Sequence, residues 1–239
     1  MTTYTFSTLD YPLATWTEAH GINDVGQIIG SYGDASGDHG FFYSGNTYLT
    51  GNDPLATHGT WAYGINDAGQ IVGAYWDNSM RPQGFLYWGG FYFTGDDPLG
   101  TNGTQAFGIN NTGQIVGVYV DGSGSHGFLY SGGMYTALDD PLATYGTEAF
   151  GINDKGLLVG TYVDSSGTDR GFLYNGSTYT TLDDPLGTHG TVATGINDLS
   201  QIVGYYRDSN YVEHGFLYSG GIYTTLMTLW APLPTPPSA

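Results

Sequence analysis

Two positions per repeat gather the side chains best suited to holding a small polar molecule. Directly after a Thr found in every copy stand Trp16, His58, Asn102, Tyr145 and His189. Two or three residues further on stand Glu18, Trp61, Gln105, Glu148 and Val192. Residues identical in all copies are explained by packing that the copies share, so positions that differ carry the functional information. Aromatic platforms beside amides, imidazoles and carboxylates suit a sugar, whose apolar face stacks and whose hydroxyls hydrogen-bond. The ligand-binding candidates are therefore Trp16, His58, Trp61, Asn102, Gln105, Tyr145 and His189. The competing reading is that these side chains plug the mouth of a central channel. A catalytic version uses Glu18 and Glu148 as an acid/base pair, since glycoside hydrolysis asks for two carboxylates roughly 5–10 Å apart. They lie in the first and fourth copies and would have to meet across the channel.

No metal or cofactor is expected. His39, His126 and His214 share one repeat position and are spread around the molecule, leaving His20, His58 and His189 as the only set that could converge on an ion. Hydrogen-bonding roles account for all of them. Asp34, Asp77, Asp121, Asp164 and Asp208 recur once per copy without the Asp-x-Asp-x-Asp pattern of a calcium loop, and read as turn-capping residues. The Gly-rich stretches lack the Gly-Lys-Ser/Thr of a phosphate loop, and no Gly-x-Ser-x-Gly elbow is present.

The elements that position these residues are set by a repeat. Gly-Ile-Asn begins at Gly21, Gly64, Gly108, Gly151 and Gly195, in steps of 43 or 44 residues, and Asp-Pro-Leu keeps the same beat from Pro54 to Pro185 with Pro12 as an offset first copy. Such a period with several short strands per unit predicts an all-β, five-bladed β-propeller of four antiparallel strands per blade. Residues 1–230 form one domain, with blades starting near residues 16, 60, 104, 147 and 191. In the third copy the strands fall at 104–110, 114–120, 126–130 and 134–138. Asn110-Asn111-Thr112-Gly113 and Ser131-Gly132-Gly133 are the tight turns. Alternating strand direction puts the short turns on one face and the long loops on the other, which is the functional candidate. Residues 4–9 resemble 222–226, a sixth copy of the outer strand, and are expected to close the ring. The Pro-rich tail, 231–239, is expected to be poorly ordered.

Composition narrows the partners. Four basic residues stand against 22 acidic ones, a net charge of -18 that repels nucleic acid and anionic membranes. Without cysteine there is no disulfide framework and no thiol nucleophile. No run of 18 apolar residues exists, and the N-terminus has no secretory signal pattern.

Gly-Ile-Asn-Asp-x-Gly-Gln-Ile-Val-Gly followed by His-Gly-Phe-Leu-Tyr resembles the bacterial family of probable extracellular repeats named for a His-Ala-Phe motif, over roughly residues 15–226. This chain has Gly in place of that Ala, and Gln83 and Arg170 replace the His in two copies. The resemblance implies export and brings no established activity. The plan is also similar to that of tachylectin, a five-bladed sugar-binding propeller. The expected function is a lectin-like binding module for a carbohydrate or small polar ligand. The alternatives are a glycan-active enzyme and a purely structural extracellular module.

Overall fold

The computed structural model describes residues 8–226, which form twenty strands and no helix. The strands fall into five consecutive four-stranded units. The first holds β1 (Trp16–Ile22), β2 (Ile28–Asp34), β3 (Gly37–Ser44) and β4 (Thr47–Thr50). The second holds β5 (Thr60–Ile65), β6 (Ile71–Trp76), β7 (Pro82–Trp88) and β8 (Phe91–Thr94). The third holds β9 (Gly103–Ile109), β10 (Ile115–Val120), β11 (Ser125–Ser131) and β12 (Met134–Leu138). The fourth holds β13 (Gly146–Ile152), β14 (Leu158–Val163), β15 (Asp169–Tyr174) and β16 (Tyr179–Leu182), and the fifth β17 (Thr191–Ile196), β18 (Ile202–Arg207), β19 (Glu213–Ser219) and β20 (Ile222–Leu226). Each unit is an antiparallel meander, and the third and fourth are joined by one parallel bridge between Ser125 and Gly146. The predicted strands of the third copy match to within one residue. Of the segment expected to close the ring, residues 4–7 lie outside the described residues, as does the tail at 231–239.

The apolar core sits between units. The second strand of each of the first four units packs on the first strand of the next. Ile29 is thereby buried against Ala62, Ile65 and Phe85, and Val72, Val116 and Val159 take the same place at the next three junctions. All four are 0% exposed. That explains why the second strands of the first four units are nearly continuous apolar runs: both of their faces are covered. Successive first strands β1, β5, β9, β13 and β17 neighbour one another and form the inner side. No comparable packing joins β17 to β1 among the described residues.

Polar locks run alongside the cores. Asn66 donates from Nδ2 to the Asn110 carbonyl at 3.0 Å, Asn110 to the Asn153 carbonyl at 3.0 Å, and Asn153 to the Asn197 carbonyl at 3.0 Å. The Asp67 amide donates to Asn111 Oδ1 and the Asn111 amide to Asp154 Oδ1. The hairpin turn that presents these groups requires φ of +78° at Gly113, in the region where a side chain is costly.

The five loop aspartates cap their own turns. Asp121 Oδ1 accepts from the Ser123 amide and hydroxyl at 2.6 Å each, and Asp34, Asp77 and Asp164 do the same with Ser36, Ser79 and Ser166. The next strand clamps the loop: His39, His126 and His214 reach Asp34, Asp121 and Asp208, and Arg170 spans Asp164 and Asp183. Hydrogen bonds from Ser166 and Arg170 hold the Asp164 carboxyl well below the usual carboxylate range. A depressed pKa stabilises the fold above the ordinary carboxylate value near 4, and that stability is lost as pH falls through the folded-state value. Asp164→Asn should therefore lower the melting midpoint at about pH 7, with the gap to wild type constant down to about pH 5 and starting to narrow only as pH falls below about 4. Thermal melts across that range measure it; a gap unchanged by pH contradicts the assignment.

Candidate functional site

A β-bulge recurs in every inner strand. Pairing slips between Ala62 and Gly64 in the second unit, around Phe107 in the third, and between Ala149 and Gly151 in the fourth. The extra residue is unpaired and re-aimed. Its ring packs edge-on or tilted against its counterpart in the next unit: His20 to Tyr63 at 5.3 Å, Tyr63 to Phe107 at 5.3 Å, and Phe107 to Phe150 at 5.2 Å. The result is an aromatic ladder along the inner side, ending where Thr194 stands in the fifth unit. Burial pushes the Tyr63 phenol up to about 12 and lowers His20, the latter opposed by the Glu18 charge. His20 is thus a rung of this ladder. His58 and His189 lie away from it, and no group of three or more possible metal ligands is found among the described residues.

The residues after the loop Thr tie down their own unit's long loop. His58 Nδ1 meets the Asp77 carbonyl at 3.0 Å, Asn102 Nδ2 donates to the Asp121 carbonyl at 3.0 Å, and His189 Nδ1 meets the Asp208 carbonyl at 2.9 Å. Tyr145 has no such bond and stands 64% exposed. Trp16 is a correction to the sequence alignment. The segment from Pro12 to Gly21 is one residue shorter than from Pro54 to Gly64, so Trp16 takes the strand position of Gly103 rather than that of His58, pairing with Gly33 as Gly103 pairs with Val120.

The heads of the inner strands diverge. Trp61 packs edge-on against Trp76 at 4.4 Å, Gln105 pairs across from Val118, and Val192 is buried. Glu148 is half-buried in a cavity of about 190 Å³ shared with Tyr145, Asp169 and Tyr205. Burial, then the Asp169 charge, raises the Glu148 pKa. Glu18 is exposed on β1 and does not line the cavity that holds Glu148. The acid beside Glu148 is Asp169, held by Arg207 at 2.8 Å.

The most developed surface site lies on the outer hairpin of the second unit. Leu86 pairs with Phe93 and Trp88 with Phe91, so alternation puts all four on one face of the hairpin. Trp88 is 55%, Phe91 68% and Phe93 49% exposed. With Asp96, Tyr130 and Tyr135, Trp88 and Phe93 line a cleft of about 440 Å³ between the second and third units. The Asp96 carboxylate accepts from the Gly84 amide at 2.8 Å, and burial raises its pKa. The equivalent cleft between the first and second units has the same volume, but Leu49 and Gln27 stand on its walls. Sequence reasoning missed this hairpin although the signal was present: the other copies carry Ser44, Ser131, Asn175 and Ser219 where the second has Trp88.

No family model and no curated protein matches the chain. Solved structures do. The chain is similar to a six-bladed β-propeller lectin from Aleuria aurantia with a described fucose recognition mode, at 15% identity and a TM-score of 0.51, over 89% of this chain and 79% of that one. It is similar to AofleA from Arthrobotrys oligospora at 10% identity and a TM-score of 0.56, over 88% and 72% of the two chains. The β-propeller domain of the trilobed protease from Pyrococcus furiosus, which has an open velcro topology, matches at 10% identity and a TM-score of 0.55, over 88% and 66%. The fold is that of the β-propellers.

Proposed function

We propose that this chain is a lectin-like binding module, five propeller blades in one domain, that takes a carbohydrate in the cleft between the second and third units. One observation carries the reading: three aromatic rings, Trp88, Phe91 and Phe93, stand in the open on a single hairpin face, and two of them, Trp88 and Phe93, wall a cleft that also offers carboxylate and hydroxyl groups. Exposed apolar surface of this kind marks an interaction site, and ring faces bordered by hydrogen-bonding groups suit a sugar. Trp88 and Phe93 supply the stacking platform; Asp96, Thr94 and Tyr130 supply hydrogen bonds. Fucosylated glycans are the first class to try, since a structural neighbour recognises fucose. The family resemblance adds an extracellular setting.

A glycan array compares wild type with Trp88→Ala. The wild type should bind at least one glycan class, and the variant should lose about tenfold or more in affinity, the worth of one good stacking contact. Because Trp88 is mostly exposed, the variant should melt with wild type. An array blank for both proteins supports the structural-module reading instead.

A second reading rests on Glu148. A raised carboxylic acid beside a carboxylate held by Arg207 is the pattern of an acid/base pair. Glycan hydrolysis that disappears in Glu148→Gln but survives in Trp88→Ala would favour it.

A further inference from the structure

Among the described residues four inter-unit cores are complete, and the two halves of a fifth stand exposed on the first and fifth units. On the fifth unit, Val203 occupies the place held by Val72, Val116 and Val159, yet it is 42% exposed where they are 0%. On the first unit, Ile22 is 66% exposed where Ile65, Ile109 and Ile152 are 8%, and Ala19 is exposed where Ala62, Ala106, Ala149 and Ala193 are buried.

The polar locks are cut at the same two places. Asn197 Nδ2 bonds only Gln201 within its own turn, and the Asp198 amide has no partner across a junction among the described residues. At the other end the Asn23 carbonyl and the Asp24 carboxylate receive none of the cross-junction bonds that Asn66 and Asp67 receive from the unit before them. Backbone packing agrees. A Cβ on Gly151 would lie 3.2 Å from Gly195 Cα, whereas one on Gly195 would meet only its own unit's Val203. One end is therefore all donors and a valine knob; the other is all acceptors and an alanine–isoleucine socket.

We propose that these are the two sides of one open blade position, and that its occupant is a single four-stranded unit of the same repeat. Such a unit offers acceptors and a socket on its inner strand to the fifth unit, and an Asn donor and a valine knob to the first. Continuity with the four existing junctions fixes this chemistry. It stands on the repeat packing alone, whatever the clefts bind.

The test inserts a second copy of residues 139–182 after Leu226, in register because Leu226 ends its strand as Leu182 and Leu138 do. Val203→Asp is then placed in both the natural and the extended chain, with Val116→Asp as reference. In the natural chain Val203→Asp should shift the melting midpoint by no more than roughly 2 °C, as at a surface position, while Val116→Asp lowers it by roughly 10 °C or more. In the extended chain, which should melt above the natural one, Val203→Asp should become as damaging as Val116→Asp. Val203→Asp already as damaging in a monomeric natural chain would mean that its own ends close on each other and would overturn the proposal. The same damage in a natural chain with the mass of a dimer or larger would assign the faces to a second copy, and would overturn it too. So would an inserted unit that stays unfolded on an intact five-unit body, or a Val203→Asp tolerated equally in both chains.

Discussion

Gly117→Ala should lower the denaturant unfolding midpoint severely, while Gly122→Ala should melt with wild type. In the third unit the second strand passes so close behind the bulged inner strand that a Cβ at Gly117 would lie 2.0 Å from the Gln105 carbonyl oxygen and 2.7 Å from Phe128 Cε1. Neither can retreat: one is backbone in the sheet, and Phe128 is 1% exposed. Gly30, Gly73, Gly160 and Gly204 meet the equivalent oxygen at 2.0 Å in the other units. The clash recurs because the bulge recurs. Overpacking against fixed backbone belongs to the exceptional class of substitutions costing more than about 4 kcal/mol. Gly122 has no neighbour within 4 Å and no positive φ, so its alanine should cost under about 0.5 kcal/mol. Denaturant melts of the two variants measure the contrast; similar midpoints would mean that the bulge is not as drawn.

Asn110→Ala should cost about 3 kcal/mol and Asn197→Ala about 1 kcal/mol, although the two occupy the same repeat position. Asn110 is 3% exposed. Its Nδ2 donates to Gln114 Oε1 at 2.8 Å and across the junction to the Asn153 carbonyl at 3.0 Å, and its Oδ1 accepts from the Gln114 amide at 2.9 Å and the Thr112 hydroxyl at 2.8 Å. Truncation leaves buried groups on two units unpaired, and the unmade bonds are what cost most. Asn197 is exposed and keeps only its local bonds. Equal losses in urea melts would show that the cross-junction bond contributes nothing.

These contrasts mark where the sequence was legible. Strand positions, hairpin turns and Asp-capped loops follow from local rules, such as alternation, Asn-Gly turns and Ser two residues after Asp, and five repetitions averaged out the noise. The bulge was not legible, because Ala-x-Gly reads as ordinary strand. It becomes a bulge only when the partner's glycine lets the backbones close in. Phe107 and Phe150 could thus be placed on an inner strand, but not in a ladder. Trp16 was misaligned because one deleted residue in the first linker shifts it from loop to strand. Trp88, Phe91 and Phe93 were visible to the same comparison of copies that picked out Trp61 and Glu148, had it been extended to the outer hairpin. The uncovered faces of Val203 and Ile22 lay beyond any local rule. Their residue types match the buried copies, and only the neighbour differs.

The carbohydrate reading is tested most directly by calorimetric titration of the whole chain with a fucosylated oligosaccharide, beside Trp88→Ala and Phe93→Ala. Saturable binding by the wild type at a stoichiometry near one, weakened about tenfold or more in each variant with unchanged melting, is the result predicted for one aromatic cleft between the second and third units. Binding of equal strength in all three proteins would place the sugar elsewhere and contradict it.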